Sequence, residues 1–88
     1  MDKTKAKELL MSTYYKNFDL SDLIKICEAY FGEYHSKGKH PYVFTTVFAD
    51  DPIINLQPAK GDKGKAKPYQ VKQVRKLVER FESEQGGE

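Results

Sequence analysis

The 88-residue chain has one cysteine and no tryptophan. Cys27 cannot form an internal disulfide, and no second thiol completes a redox or metal motif, so packing is its expected work. Apolar runs are only a few residues long, far short of the roughly 20 that a bilayer helix needs. The lysine-rich start is not followed by the apolar stretch of a secretory signal, which makes the cytoplasm the expected compartment. There is no phosphate-binding glycine loop with its Lys-Ser/Thr pair, no serine-nucleophile motif and no cluster of metal ligands. No metal and no cofactor is therefore expected.

What is present suits one small folded domain over residues 1–88, since a chain this short holds a single core. The apolar share of 39% supplies a modest core, and the charged share of 32% a hydrated surface. The net charge of +2 conceals an uneven distribution. Residues 1–36 carry five Lys against six Asp/Glu, residues 37–76 nine Lys/Arg against three Asp, and residues 77–88 one Arg against four Glu. Positive charge thus gathers in the middle of the chain and favours a local anionic partner.

Ala6, Leu9, Leu10, Met11 and Tyr14 recur at helical spacing and predict a first helix from Asp2 to about Tyr15. Asp19 as cap, Asp22 near the positive dipole end and Phe18 stapled to Leu23 mark the start of a second helix. Leu20, Leu23, Ile24, Cys27 and Phe31 form its stripe, and Gly32 is its stop. The period then changes. Glu33–Ser36 and Pro41–Phe48 read as strands around a Lys37-Gly38-Lys39 turn, and Ala49–Pro52 as a further turn. Residues 53–57 read as a third strand with Ile54 and Leu56 on one face, followed by a loop from Pro58 to Ala66. Pro68 opens a last helix with Val71, Val74, Val78 and Phe81 buried, and residues 83–88 are expected to fray. The order α-α-β-β-β-α implies an α+β two-layer domain, with helices covering one face of an antiparallel meander.

His40 is the leading candidate for chemistry. An imidazole takes a proton from one oxygen and returns it to another near neutral pH, and RNA carries its own nucleophile in the 2′-hydroxyl. Pro41 restricts the residue before it to extended backbone. His35, across the expected hairpin, is placed either to contact His40 or, by strand alternation, to face solvent. Lys63, Lys65 and Lys67 crowd the start of the last helix, where the dipole already disfavours cations, so a bound phosphate would relieve them. Lys37 and Lys39 extend that group if turn and loop share one side, and Lys72, Gln73 and Lys76 continue it along the helix. Tyr42, Phe44 and Phe48 are expected mainly in the core, although such rings also stack on bases.

Several stretches together resemble the HicA toxins of bacterial type II toxin–antitoxin systems. They are Cys27-Glu-Ala-Tyr-Phe-Gly-Glu, Ser36-Lys-Gly-Lys-His40, Asp51-Pro-Ile-Ile-Asn-Leu-Gln57 and Gly64-Lys-Ala-Lys-Pro-Tyr-Gln-Val-Lys-Gln-Val74. The resemblance covers roughly residues 20–82. It implies a double-stranded-RNA-binding-domain-like α-β-β-β-α core over residues 18–82, with residues 1–17 as an added N-terminal helix. It also implies an mRNA interferase whose one catalytic histidine corresponds to His40, and a HicB-like antitoxin partner. Lys39 stands where the family usually has serine, and Pro41 where a basic or polar residue is more common.

The resulting expectation is a metal-independent endoribonuclease toxin acting on mRNA. His40 would be general acid/base, with Lys37, Lys39, Lys63, Lys65, Lys67 and Lys72 on the RNA backbone. A non-catalytic RNA-binding module would instead bind RNA in a salt-sensitive way without cutting it. A basic protein-interaction domain would show no RNA affinity even at low salt.

Overall fold

Apolar side chains at helical spacing decide where the helices pack, and polar side chains decide where several elements stop. The computed structural model describes residues 1–84. In chain order they form α1 (Lys3–Ser12), a 3-10 turn (Tyr15–Asn17), α2 (Leu20–Phe31), β1 (His35–Lys37), β2 (His40–Thr45), β3 (Ile53–Leu56), β4 (Pro58–Ala59), β5 (Asp62–Ala66) and α3 (Pro68–Glu84). The described residues make a small α+β domain of three α-helices and antiparallel sheets. Among the described residues no helix is long and apolar enough to cross a membrane.

The Asp2 carboxylate caps α1 by accepting from the Lys5 N–H at 2.8 Å, a contact type worth about 1 kcal/mol. The helix ends at Ser12, short of the expected Tyr15. Arg75, on α3, explains the early stop: its Nε donates to the Leu10 carbonyl at 3.1 Å and its Nη2 to the Thr13 carbonyl. A guanidinium thus takes acceptors that open at the helix end. Ala6 and Leu10 are buried, whereas Met11 and Tyr14 are exposed. The Tyr30 hydroxyl, donating to the Lys3 carbonyl at 3.3 Å, ties α2 to the start of α1.

Helix α2 buries Leu20, Leu23, Ile26, Cys27 and Tyr30, with Ile24 and Phe31 at the edge of the core. Its apolar stripe is therefore wider than the sequence indicates. Burial pushes the Cys27 thiol well above its ordinary range, which leaves it an inert packing group. Gly32 closes the helix at φ 87°, its N–H donating to the Glu28 carbonyl at 3.0 Å. A side chain there would meet the strain of the left-handed region.

The strands β1-β2-β3 form an antiparallel meander in that order. Tyr42 pairs with Leu56 and Phe44 with Ile54, and Phe44, Ile54 and Leu56 join the buried cluster with α2 and α3. Two layers therefore share one core, containing Phe18, Leu23, Ile26, Val71, Val74 and Val78, all fully buried. Complete burial of one such side chain stabilises the fold by about 1.5–3 kcal/mol. The β2 strand stops at Thr45, before the expected Phe48. Thr46 is the cause: its hydroxyl accepts from the Phe48 N–H at 3.1 Å and donates to the Asp51 carbonyl at 2.7 Å, while its N–H reaches the Pro52 carbonyl at 2.7 Å. These bonds offer the backbone an alternative to the ladder.

Residues 58–66 are not a loop. β4 and β5 pair as a second hairpin, with Pro58 opposite Ala66 and Ala59 opposite Asp62, and Gly61 takes φ 89° in the two-residue turn. Ala66 is the buried residue of β5, so apolar alternation gives no strand signal there. The hairpin docks on the chain entering α2 through the Ala66 N–H, which donates to the Phe18 carbonyl at 2.8 Å. Helix α3 buries Gln70, Val71, Val74, Leu77 and Val78, with Phe81 half-buried. Of the stretch expected to fray, Ser83 and Glu84 complete α3 and residues 85–88 lie outside the described residues.

Candidate active site

His40 opens β2, exposed, directly across from Lys37 on β1. Gly38, at φ 61°, makes the turn between them. The register of β1 shifts between His35 and Lys37, and a bulge of this kind re-aims the side chains beside it. His35 pairs with Val43 and is exposed, so of the two placements open to it, contact with His40 and solvent, it takes the second.

The β2–β3 register carries His40 to the end of β3, where Gln57 follows Leu56. Gln57 Nε2 lies 3.5 Å from His40 Nδ1, and Lys67 Nζ donates to Gln57 Oε1 at 2.8 Å. An ammonium has only donors, so it selects the amide oxygen and turns the NH2 group toward the imidazole. Imidazole, amide and ammonium thus form one polar chain from the first residue of β2 to the residue before α3.

Gln70 sets the backbone beneath this chain. Its side chain is buried in the first turn of α3, accepts from the Gln57 N–H at 2.9 Å and donates to the Asn55 carbonyl. One amide therefore takes the place of a strand neighbour for the end of β3. It fixes β3 against α3 at the height of Gln57.

The lysines have separate fates. Lys67 is half-buried and bonded to Gln57. Lys65 is paired elsewhere, its ammonium 2.7 Å from Asp19 Oδ1, and the hydrogen bond to Asp19 raises its pKa. That bond also takes the Asp19 carboxylate expected to cap α2, which has no side-chain cap. Lys37, Lys39 and Lys63 are exposed on β1, the first turn and β5. Lys72 Nζ lies 4.4 Å from the Tyr15 ring centroid, a cation–π contact, and among the described residues it makes no hydrogen bond to His40, Gln57 or Lys67. Phe44 and Phe48 are buried in the core, and Tyr42 packs edge-on against Tyr34. Among the described residues no three of His, Cys, Asp and Glu gather as metal ligands would.

Gln57 and Gln70 are the residues that sequence reasoning did not place in the site. Their roles depend on strand register and on a strand-to-helix contact, which leave no local pattern in the chain. No family model matches the chain, and no curated protein or solved structure matches it.

Proposed function

We propose that the chain is a HicA-like toxin, an endoribonuclease of the cytoplasm that cleaves mRNA and is held inactive by an acidic, HicB-like antitoxin. On this reading α2, the meander and α3 are a double-stranded-RNA-binding-domain-like core, and α1 is an addition locked on by Arg75. The observation that carries the proposal is the exposed His40 ring joined through Gln57 to the Lys67 ammonium.

Cleavage needs a nucleophile, a proton carrier and a counter-charge. The RNA 2′-oxygen attacks the adjacent phosphorus, forming the O2′–P bond as the P–O5′ bond breaks, and leaves a cyclic phosphate and a 5′-hydroxyl. The proton leaving O2′ and the one reaching O5′ are exchanged with His40, acting as general base and then general acid. Lys67, with Lys37 and Lys39 on the hairpin beside the ring, balances the charge that builds on the phosphoryl oxygens. Gln57, bonded to both groups, holds ring and cation in one geometry.

The test is induction in cells of the parent and of His40→Ala, followed by mapping of RNA ends and growth. The parent is expected to arrest growth and create new RNA ends, and the variant to do neither while still binding RNA in vitro. Growth arrest by both forms, or no new ends with the parent, would sink the proposal.

A further inference from the structure

Helix α3 buries its valines but leaves one large ring uncovered. Tyr69, in the first turn, is 63% exposed, whereas Val71, Val74, Leu77 and Val78 are buried. Its ring centroid lies 6.0 Å from Lys67 Nζ, the ammonium that holds Gln57. Tyr69 thus stands as an uncovered ring at the edge of the histidine group.

Positions 69, 72, 73 and 76 follow one face of the helix, and they line a single groove that ends at Leu77, Asp51 and Arg80. Among the described residues, neither Lys72 nor Lys76 has a carboxylate within 4.0 Å. Lys72 leans on the Tyr15 ring, which orders the side chain without neutralising it. The far end is different. Arg80 is bonded to Asp50 at 2.9 and 3.2 Å and to Glu84 at 2.9 Å, so its charge is already satisfied and the positive face stops there. From residue 69 to 76 the helix rises about 10 Å, with an aromatic ring at one end and two uncompensated ammonium groups beyond it.

We infer that this groove is the track for a single-stranded RNA segment flanking the cleaved bond, with a base stacked on Tyr69 and its phosphates on Lys72 and Lys76. The inference rests on the nuclease reading and gives it a substrate class. A ring standing free of the surface can take a base only if that base is unstacked from its neighbours, which single strands allow and duplexes do not. Alternation of aromatic platform and cation is the arrangement by which single strands are held with little sequence preference. The strand would then run from the histidine group along α3.

The experiment uses the full chain carrying His40→Ala, so that RNA survives, and a single-stranded oligonucleotide containing 2-aminopurine. Tyr69→Ala in that background is expected to weaken binding about tenfold and abolish the stacking quench, while Tyr69→Phe keeps both. Lys72→Gln with Lys76→Gln should lower the slope of log affinity against log salt by about 1.4, the single-strand value for two phosphate contacts. Tyr69→Ala binding with unchanged affinity and quench would overturn the track and leave the nuclease reading standing. Tight binding of poly-glutamate that is equally indifferent to Tyr69 would overturn it in favour of a protein partner. Failure of the His40→Ala parent to bind RNA at low salt would instead remove the nuclease reading itself.

Discussion

Lys65 and Lys67 are two residues apart, carry the same charge and precede the same helix, yet they belong to different structures. Lys65 sits on β5, whose pairing with the entry to α2 brings its ammonium to Asp19. Lys67 lies past the end of that strand, where the chain turns toward α3 and the ammonium meets Gln57 instead of a carboxylate. The difference teaches that cation density along a sequence does not measure what is left for a ligand. Hydrogen-bond partners decide it, and where each lysine stands relative to the end of β5 decides the partners.

The sharpest way to break this comparison is to remove the group that distinguishes its two halves. His40→Ala should lower RNA cleavage by about 10²–10⁴-fold, the usual span of a general acid/base, with binding retained. Single-turnover cleavage of a labelled oligonucleotide measures it. Next come the lysines themselves. Lys67→Met is expected to slow cleavage by about 10²-fold, as loss of one group that stabilises transition-state charge commonly does, whereas Lys65→Met should stay near the parent rate. Equal losses from both would mean that charge alone matters and that the Gln57 contact is incidental.

A third prediction moves from chemistry to the scaffold. Gln70→Ala strips partners from the Gln57 N–H and the Asn55 carbonyl, and groups left unsatisfied at a buried position cost about 1–3 kcal/mol. Urea unfolding should record that loss, and cleavage measured below the unfolding transition should fall as well because Gln57 is no longer held. Unchanged stability would show that water replaces the amide without penalty.

The legible part of this fold is the part written in apolar period. The α2 stripe, the Gly32 stop, the inward-facing Ile54 and Leu56 and the valine face of α3 follow from spacing, because burying those side chains dominates local choices. Elements fixed by polar bonds were hidden. The β4–β5 hairpin has lysines where a strand would show alternation, β2 is ended by one threonine hydroxyl, and α1 is ended by Arg75, 62 residues from Thr13. The site divides in the same way. His40 and Lys67 stand out as residue types in a cationic stretch, while Gln57 acquires a role only when the register of β2 against β3 brings it to the ring.

The smallest expected effect lies at the opposite end of α3, where the positive face is closed. Hydrogen bonds from Arg80 hold the exposed Asp50 carboxyl below its usual value. A carboxylate whose folded pKa is depressed contributes stability that is present above its unfolded value, about 3.9, and is lost as pH falls through the lower folded one. Arg80→Met should therefore be slightly less stable than the parent at about pH 6, with the gap narrowing toward about pH 2 as Asp50 protonates in both proteins. Urea midpoints at the two pH values check this. Because Arg80 also lies 4.2 Å over the Phe48 ring, a gap that stays constant with pH would assign its contribution to packing. The closed end of the groove would then owe its closure to shape more than to charge.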